Sequence, residues 1–161
     1  MLPEAFLLAN AQIAIAAITV AGILGLLRNQ GSEKLTAQEL TGIRFMIEHA
    51  IVALFMSYLP VILFYYLGSA ARAMSLASAG FAVALVVLQL LAVRKLMVVK
   101  PRRPLVLLFG WFLPALLVTL LLGYNVFNTN AGNYCVALIW VLSAFCVQLL
   151  HFTFPPNAPL A

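Results

Sequence analysis

Long apolar runs alternate along the chain with short polar or charged breaks. Five runs approach or exceed the roughly 20 apolar residues with which a helix crosses about 30 Å of membrane hydrocarbon. They predict transmembrane helices at residues 5–27, 45–67, 73–93, 104–127 and 134–154. Because the runs are apolar all round the axis, they favour helices over the alternating strands of a membrane barrel. The sequence therefore predicts an all-α integral membrane protein, a single transmembrane helical domain spanning 1–161 and folded as a bundle of five helices.

The breaks between the apolar runs are short. The Gly68-Ser69 turn separates the second run from the third, and the longest break covers only residues 28–44. Within it, Thr36 and Glu39 have the spacing of a capping box, in which each residue bonds the backbone of the other at a helix start. We expect a short surface helix leading into the second span. The loops leave no room for a catalytic domain outside the membrane.

Positive charges are distributed unequally between the two sides of the predicted bundle. Eight of the nine Lys and Arg residues fall on one side, and Arg72 stands alone on the other. The eight are Arg28, Lys34, Arg44, Arg94, Lys95, Lys100, Arg102 and Arg103. Since short loops rich in Lys and Arg stay in the cytoplasm, the N-terminus is predicted outside and the C-terminus inside. The expected location is a bacterial inner (cytoplasmic) membrane, crossed several times.

Composition excludes several classes of protein. Apolar residues make up 65% of the chain and charged residues 8%, with a mean hydropathy of +1.11. Soluble domains have about 45–50% apolar and about 25% charged residues, so a water-soluble fold is excluded. A net charge of +5 from so few charges does not make a nucleic-acid-binding face, and two cysteines cannot build a four-ligand zinc site. No phosphate-binding loop, zinc-protease or nucleophile-elbow motif is found.

Four tyrosines mark the predicted outer surface of the membrane. Tyr65, Tyr66, Tyr124 and Tyr134 all fall near outer ends of predicted helices. Tyrosines at such positions often place the ring at headgroup depth and the hydroxyl in water. The asparagine-rich stretch 125–133 is interpreted as a solvated, uncharged turn between them.

Small residues recur at spacings of three and four in two of the predicted helices. The first helix carries Ala14, Ala17, Ala21 and Gly25, and the third carries Ala73, Ala77, Gly80 and Ala84. Small side chains let helix backbones approach closely in lipid. Both stripes are predicted to be tight packing faces, within one chain or between copies.

Two prolines fall inside predicted spans. Pro60 lies in the second helix and Pro114 in the fourth. A proline lacks the backbone N–H and clashes with the preceding turn, so each should kink its helix. Structural bending is the favoured interpretation, and a gating hinge is the alternative.

The basic loop after the third helix has two interpretations. It contains Arg94, Lys95, Lys100, Arg102 and Arg103. These residues are predicted to contact anionic lipid headgroups on the cytoplasmic side. The simpler interpretation is that they only fix the topology.

Six polar residues form the candidate site. They lie near the inner ends of the second, third and fifth helices: Arg44, Glu48, His49, Gln89, Gln148 and His151. Arg44 and Glu48 are four residues apart and can pair. The favoured interpretation is an interfacial cluster that locks helix packing. The alternatives are a site for a substrate, ion or lipid headgroup, and a b-type haem held by His49 and His151.

These patterns leave four functions open, the least favoured of which is a lipid-modifying enzyme. The favoured one is a membrane protein without catalytic signature, an accessory or oligomer-forming subunit working as a homo-oligomer or in a larger membrane complex, with no cofactor and no nucleic acid. The second is a channel or transporter with a polar site on the cytoplasmic side. The third is a redox subunit that binds haem or quinone.

Overall fold

The described part of the chain is almost entirely helical. The structure, a computed structural model, describes residues 3–29, 36–99 and 111–153. The helices are α1 (Glu4–Asn29), α2 (Ala37–Leu67), α3 (Ala70–Val99), α4 (Leu113–Phe127) and α5 (Ala131–Thr153). This confirms the prediction of an all-helical bundle.

Four of these helices are long and apolar enough to cross a membrane. The qualifying segments are Glu4–Leu27, Glu39–Leu67, Ala70–Arg94 and Ala131–Leu150. The described part of α4 is an apolar helix of only 15 residues, and the start of the predicted fourth span lies outside the described residues. A multi-pass membrane protein therefore fits the fold, while the fifth span stays a prediction.

The start of α2 confirms the predicted capping box but not a separate surface helix. The Glu39 N–H donates to Thr36 Oγ1 at 3.2 Å, and the Thr36 N–H donates to Glu39 Oε2 at 3.0 Å. From Ala37 the helix continues unbroken for 31 residues. At 1.5 Å per residue it is about 46 Å long, so it exceeds the hydrocarbon thickness. The expected surface helix is simply the first turns of α2.

Antiparallel packing of neighbours places α2 at the centre of the bundle. All five described helices contribute to one buried cluster, to which α1 adds Leu7 and Ala14, and α1 also packs against α2 and α5. The α2–α3 turn is tight because Gly68 adopts the left-handed conformation at φ 63°, which glycine reaches without steric cost. The predicted turn at Gly68 is confirmed.

Both small-residue stripes are contact faces within the chain, and both face α2. Ala17 and Ala21 of α1 are buried in a cluster with Met46 of α2. In α3, Ala77 is fully buried, and a methyl group added at Gly80 would lie 3.4 Å from Leu59 of α2. The smooth faces therefore let α1 and α3 approach the central helix from two directions.

The two prolines differ in how much of their helix the structure describes. Pro60 lies inside α2, as predicted, and is buried. Pro114 is the second residue of α4 and follows two π-helical residues, Trp111 and Phe112, while the chain before Trp111 lies outside the described residues. Pro60 therefore removes one backbone donor from a helix that is described on both sides of it. The kinks themselves stay predictions.

After the predicted topology, we call the end of the bundle at Gly68 and Asn128 the outer end and the opposite end the inner end. The aromatic residues at the outer end divide into two groups. Tyr65, Tyr66 and Tyr124 are exposed on the bundle surface, as expected of side chains at headgroup depth. Tyr134 is completely buried and packs on Phe81, with 5.4 Å between ring centroids. The prediction of a wet hydroxyl is wrong for Tyr134, because that ring points into the core.

Candidate functional site

An aromatic cleft lies between α2, α3, α4 and α5 in the inner half of the bundle. Its lining combines aromatic rings, one imidazole, one amide and aliphatic side chains: Phe45, His49, Leu85, Leu88, Gln89, Ala92, Trp111 and Trp140. We call this the aromatic cleft. Two of the six predicted site residues, His49 and Gln89, therefore meet in one place. Both belong to the set that the sequence places at a common depth.

His49 is the most buried of the predicted polar residues that the structure describes. It is 3% exposed, and its Nδ1 lies 2.9 Å from the carbonyl oxygen of Phe45. A carbonyl only accepts, so Nδ1 carries a proton and donates in this contact. The imidazole stacks on the Phe45 ring with 3.9 Å between centroids and meets Trp111 edge-on at 5.8 Å. Packing and hydrogen bonding together fix the orientation of the ring.

Gln89 links α3 to α4 at the same depth. Its Nε2 donates to Thr119 Oγ1 at 3.0 Å, and that hydroxyl donates in turn to the Ala115 carbonyl at 2.8 Å. Such bonds between helices are worth about 0.6 kcal/mol on average in a membrane protein. Gln89 therefore both lines the aromatic cleft and ties its walls together.

The aromatic cleft is nearly filled by its own side chains. The space left within it is about 10 Å³, which is room for one water molecule at most. Trp111 contacts both Phe45 and Trp140, with ring centroids 5.0 and 5.4 Å apart, and so closes the space across three helices. A haem, quinone or headgroup would require these helices to separate.

Arg44 and Glu48 form the ion pair that their spacing predicts, on another face of α2. Arg44 Nε lies 2.9 Å from Glu48 Oε1, and the two side chains are 72% and 23% exposed. They lie roughly 100–140° round the helix from His49. An ion pair this exposed contributes at most about 1 kcal/mol. It therefore marks the bundle surface rather than a wall of the aromatic cleft.

Gln148 of α5 lies beside α2 at Gly42, about two helical turns from His49 towards the inner end. A methyl group added at Gly42 would lie 3.0 Å from Gln148 Nε2, so the glycine makes room for the amide. Gly42 and His49 are seven residues apart and share a face of α2. The side chain of His151 lies outside the described residues. A single site joining all six residues remains a prediction.

A second polar network, which the sequence interpretation missed, closes the outer end of the bundle. Asn125 is fully buried and its Nδ2 donates to Ser78 Oγ of α3 at 2.8 Å. Its Oδ1 accepts from the Asn130 N–H at 2.7 Å and from Asn133 Nδ2 at 3.3 Å. Ser75 Oγ also donates to the Val126 carbonyl at 2.7 Å. Asn125 is thus not part of a solvated turn, because it fastens α4 to α3 and α5.

Tyr134 satisfies a carbonyl that Pro60 leaves without its helical donor. In a regular helix the N–H of residue 60 would bond the carbonyl of Met56, but proline has no N–H. The Tyr134 hydroxyl, arriving from α5, donates to that carbonyl at 2.6 Å. An unsatisfied backbone group costs several kcal/mol in hydrocarbon. The proline in α2 and the tyrosine in α5 are therefore one structural unit.

The basic loop contributes little to the described structure. The side chain of Arg94 is exposed at the inner end of α3. The side chain of Lys95, and the whole of Lys100, Arg102 and Arg103, lie outside the described residues. Their contact with anionic headgroups remains a prediction.

Comparison with known proteins yields no relative. No protein-family model, curated protein or solved structure matches this chain. Function must therefore be argued from the residues themselves.

Proposed function

We propose that the chain is a five-span protein of a bacterial inner membrane, with its N-terminus outside and its C-terminus in the cytoplasm. The unequal distribution of Lys and Arg supports this orientation. Exposed Tyr65 and Tyr66 at the opposite end are consistent with the outer membrane–water interface.

Its proposed role is that of an accessory or oligomer-forming membrane subunit that carries out no chemistry of its own. The observation that supports this role is the filled interior of the part of the bundle that the structure describes. Phe81 and Tyr134 occupy the outer half of the core, and the aromatic cleft in the inner half has room for one water at most. Among the described residues, every buried side-chain nitrogen and oxygen has a hydrogen-bond partner. The surface around such a bundle is therefore the part that is available to bind other proteins.

Native mass spectrometry of the protein in lipid nanodiscs tests this role. Each chain has a mass of 17.5 kDa. The proposal predicts a defined assembly, seen either as a fixed multiple of this mass or as a fixed ratio to one other polypeptide. A monodisperse single chain, extracted from its native membrane under the mildest conditions, would contradict it.

A ligand-binding function is the second candidate, and the composition of the aromatic cleft favours it. Three aromatic rings, an imidazole and an amide converge there, which suits a flat ring or a headgroup with one or two polar atoms. This arrangement would serve a transporter or a quinone- or haem-binding subunit after the helices separate. The absorption spectrum of the purified protein detects haem, and saturable quenching of tryptophan fluorescence by a short-chain quinone detects quinone binding. Neither signal is expected if the chain is an accessory subunit.

A further inference from the structure

One amide of α1 points away from the bundle in the middle of an apolar helix. Gln12 lies about 12 Å along the axis from Glu4, where the candidate span Glu4–Leu27 begins. Its side chain is exposed, whereas Ala21, nine residues further on, is buried against α2. Nine residues make two and a half helical turns, so Gln12 leaves α1 on the side opposite the contact with α2.

The environment of Gln12 on α1 is apolar. Among the described residues, its amide has no hydrogen-bond partner. Leu8 and Ile15, one turn before and after it, are exposed as well. Hydrocarbon has no donors or acceptors, so an amide held there alone costs free energy. The amide of Gln89, by contrast, bonds Thr119 inside the bundle. Gln12 therefore requires a partner from outside its own chain.

Small side chains continue the exposed face of α1 on both sides of Gln12. The residues of this face, which we call the Gln12 face, alternate at spacings of four and three: Ala5, Ala9, Gln12, Ala16, Thr19 and Ile23. This 3.5-residue period is that of a seam along which two helices pack. The neighbouring alanines let a second helix backbone come close enough for its side chains to reach Gln12.

A second copy of the chain has the chemistry that Gln12 requires. A carboxamide both donates and accepts, so two glutamine side chains are complementary to each other. Copies inserted into one membrane share one orientation, so a two-fold axis along the membrane normal places each residue of α1 beside its own equivalent. On this axis the two Gln12 side chains meet at the same depth.

We propose that the chain forms a parallel homodimer through the Gln12 face of α1, with reciprocal hydrogen bonds between the two Gln12 amides. The inference rests on the proposed role as an oligomer-forming membrane subunit and names its interface. Each bundle keeps its own core, because the face of α1 that packs on α2 is not used. The amides also fix the register, since sliding one α1 along the other would leave both unpaired.

Energy transfer between labelled chains in liposomes measures the affinity of the dimer. Donor and acceptor dyes are attached to Asn128→Cys in a cysteine-free background, and the lipid-to-protein ratio is varied. Gln12→Leu removes the amide and keeps a side chain of similar size. It should raise the dissociation constant about tenfold or more, because two hydrogen bonds between membrane helices are lost. Tyr58→Phe removes an exposed hydroxyl from α2 and should leave the dissociation constant at the parent value.

Disulfide cross-linking locates the interface without changing Gln12. Ala16 of α1 and Val83 of α3 are both exposed and lie at nearly the same distance from the outer ends of their helices. In the cysteine-free background, an oxidant should cross-link Ala16→Cys chains in liposomes and leave Val83→Cys chains single. In dilute detergent, where the chain is a single copy, Gln12→Leu should have the melting temperature of the parent, which shows that the variant folds.

Three results would overturn the proposal in different ways. If the parent dimerises and Gln12→Leu has the same dissociation constant, or if Val83→Cys cross-links instead of Ala16→Cys, the interface is wrong and the oligomer-forming role stands. If the parent shows no energy transfer at any ratio, the homodimer is wrong together with a role as a homo-oligomer. If a different membrane protein co-purifies with the parent and is lost in Gln12→Leu, that protein and not a second copy binds the Gln12 face.

Discussion

Replacing Asn125 by alanine should destabilise the bundle far more than the same change three residues later. Asn125 is fully buried and makes three side-chain hydrogen bonds, to Ser78, Asn130 and Asn133. At about 0.6 kcal/mol for each bond in a membrane protein, their loss costs about 2 kcal/mol. For a chain of this size, 2 kcal/mol lowers the melting temperature by about 4–8 °C.

The assay is thermal unfolding in detergent, with two variants for comparison. Asn128→Ala alters an exposed residue beyond the end of α4 and should melt within about 1 °C of the parent. Ser78→Ala removes one of the three hydrogen bonds of Asn125, and its melting temperature should lie between those of Asn125→Ala and Asn128→Ala. If Asn125→Ala and Asn128→Ala have the same melting temperature, the hydrogen bonds of Asn125 contribute nothing to stability, and the buried position of Asn125 is wrong.

Three further predictions concern packing, topology and cofactors. Ala21→Leu should lower the free energy of unfolding by about 1–3 kcal/mol, because the larger side chain overpacks the α1–α2 contact. Ala16→Leu changes an exposed position and should have the melting temperature of the parent. In a cysteine-free background, an impermeant maleimide should label Asn128→Cys but not Thr36→Cys on intact cells, and the reverse pattern would invert the topology. Purified protein should be colourless, so a Soret band would replace the accessory role with the haem hypothesis.

The helix positions could be predicted from the sequence because lipid offers the backbone no hydrogen-bond partners. Each buried N–H and C=O must bond within its own helix, so a long apolar run predicts a helix whatever its neighbours are. The turn at Gly68 and the cap at Thr36 were equally local, since each depends on residues within a few positions. The predicted surface helix is instead continuous with α2. Continuing the capped helical turns directly into the span costs less free energy than a break in the helix would.

Rotation about each helix axis could not be predicted in the same way. Depth put His49, Glu48 and Gln89 at one level, but lipid and protein neighbours are both apolar, so the sequence does not mark which side faces the core. His49 and Gln89 consequently meet in the aromatic cleft while Glu48 lies on another face. Tyr134 looked like an interfacial residue because its partner, the Met56 carbonyl, lies 78 residues away and exists only through Pro60.

Ion flux through proteoliposomes tests the central proposal most directly, namely that the filled interior seen in the described helices leaves no ion pathway through one chain. Proton and potassium flux are measured with a pH-sensitive dye and with valinomycin controls, for the parent and for His49→Ala. The account predicts that both proteins leave the liposomes as tight as protein-free ones, since Phe81 and Tyr134 fill the outer half of the core. Flux above that level in the parent, abolished in His49→Ala, would contradict it and make the aromatic cleft part of a pathway.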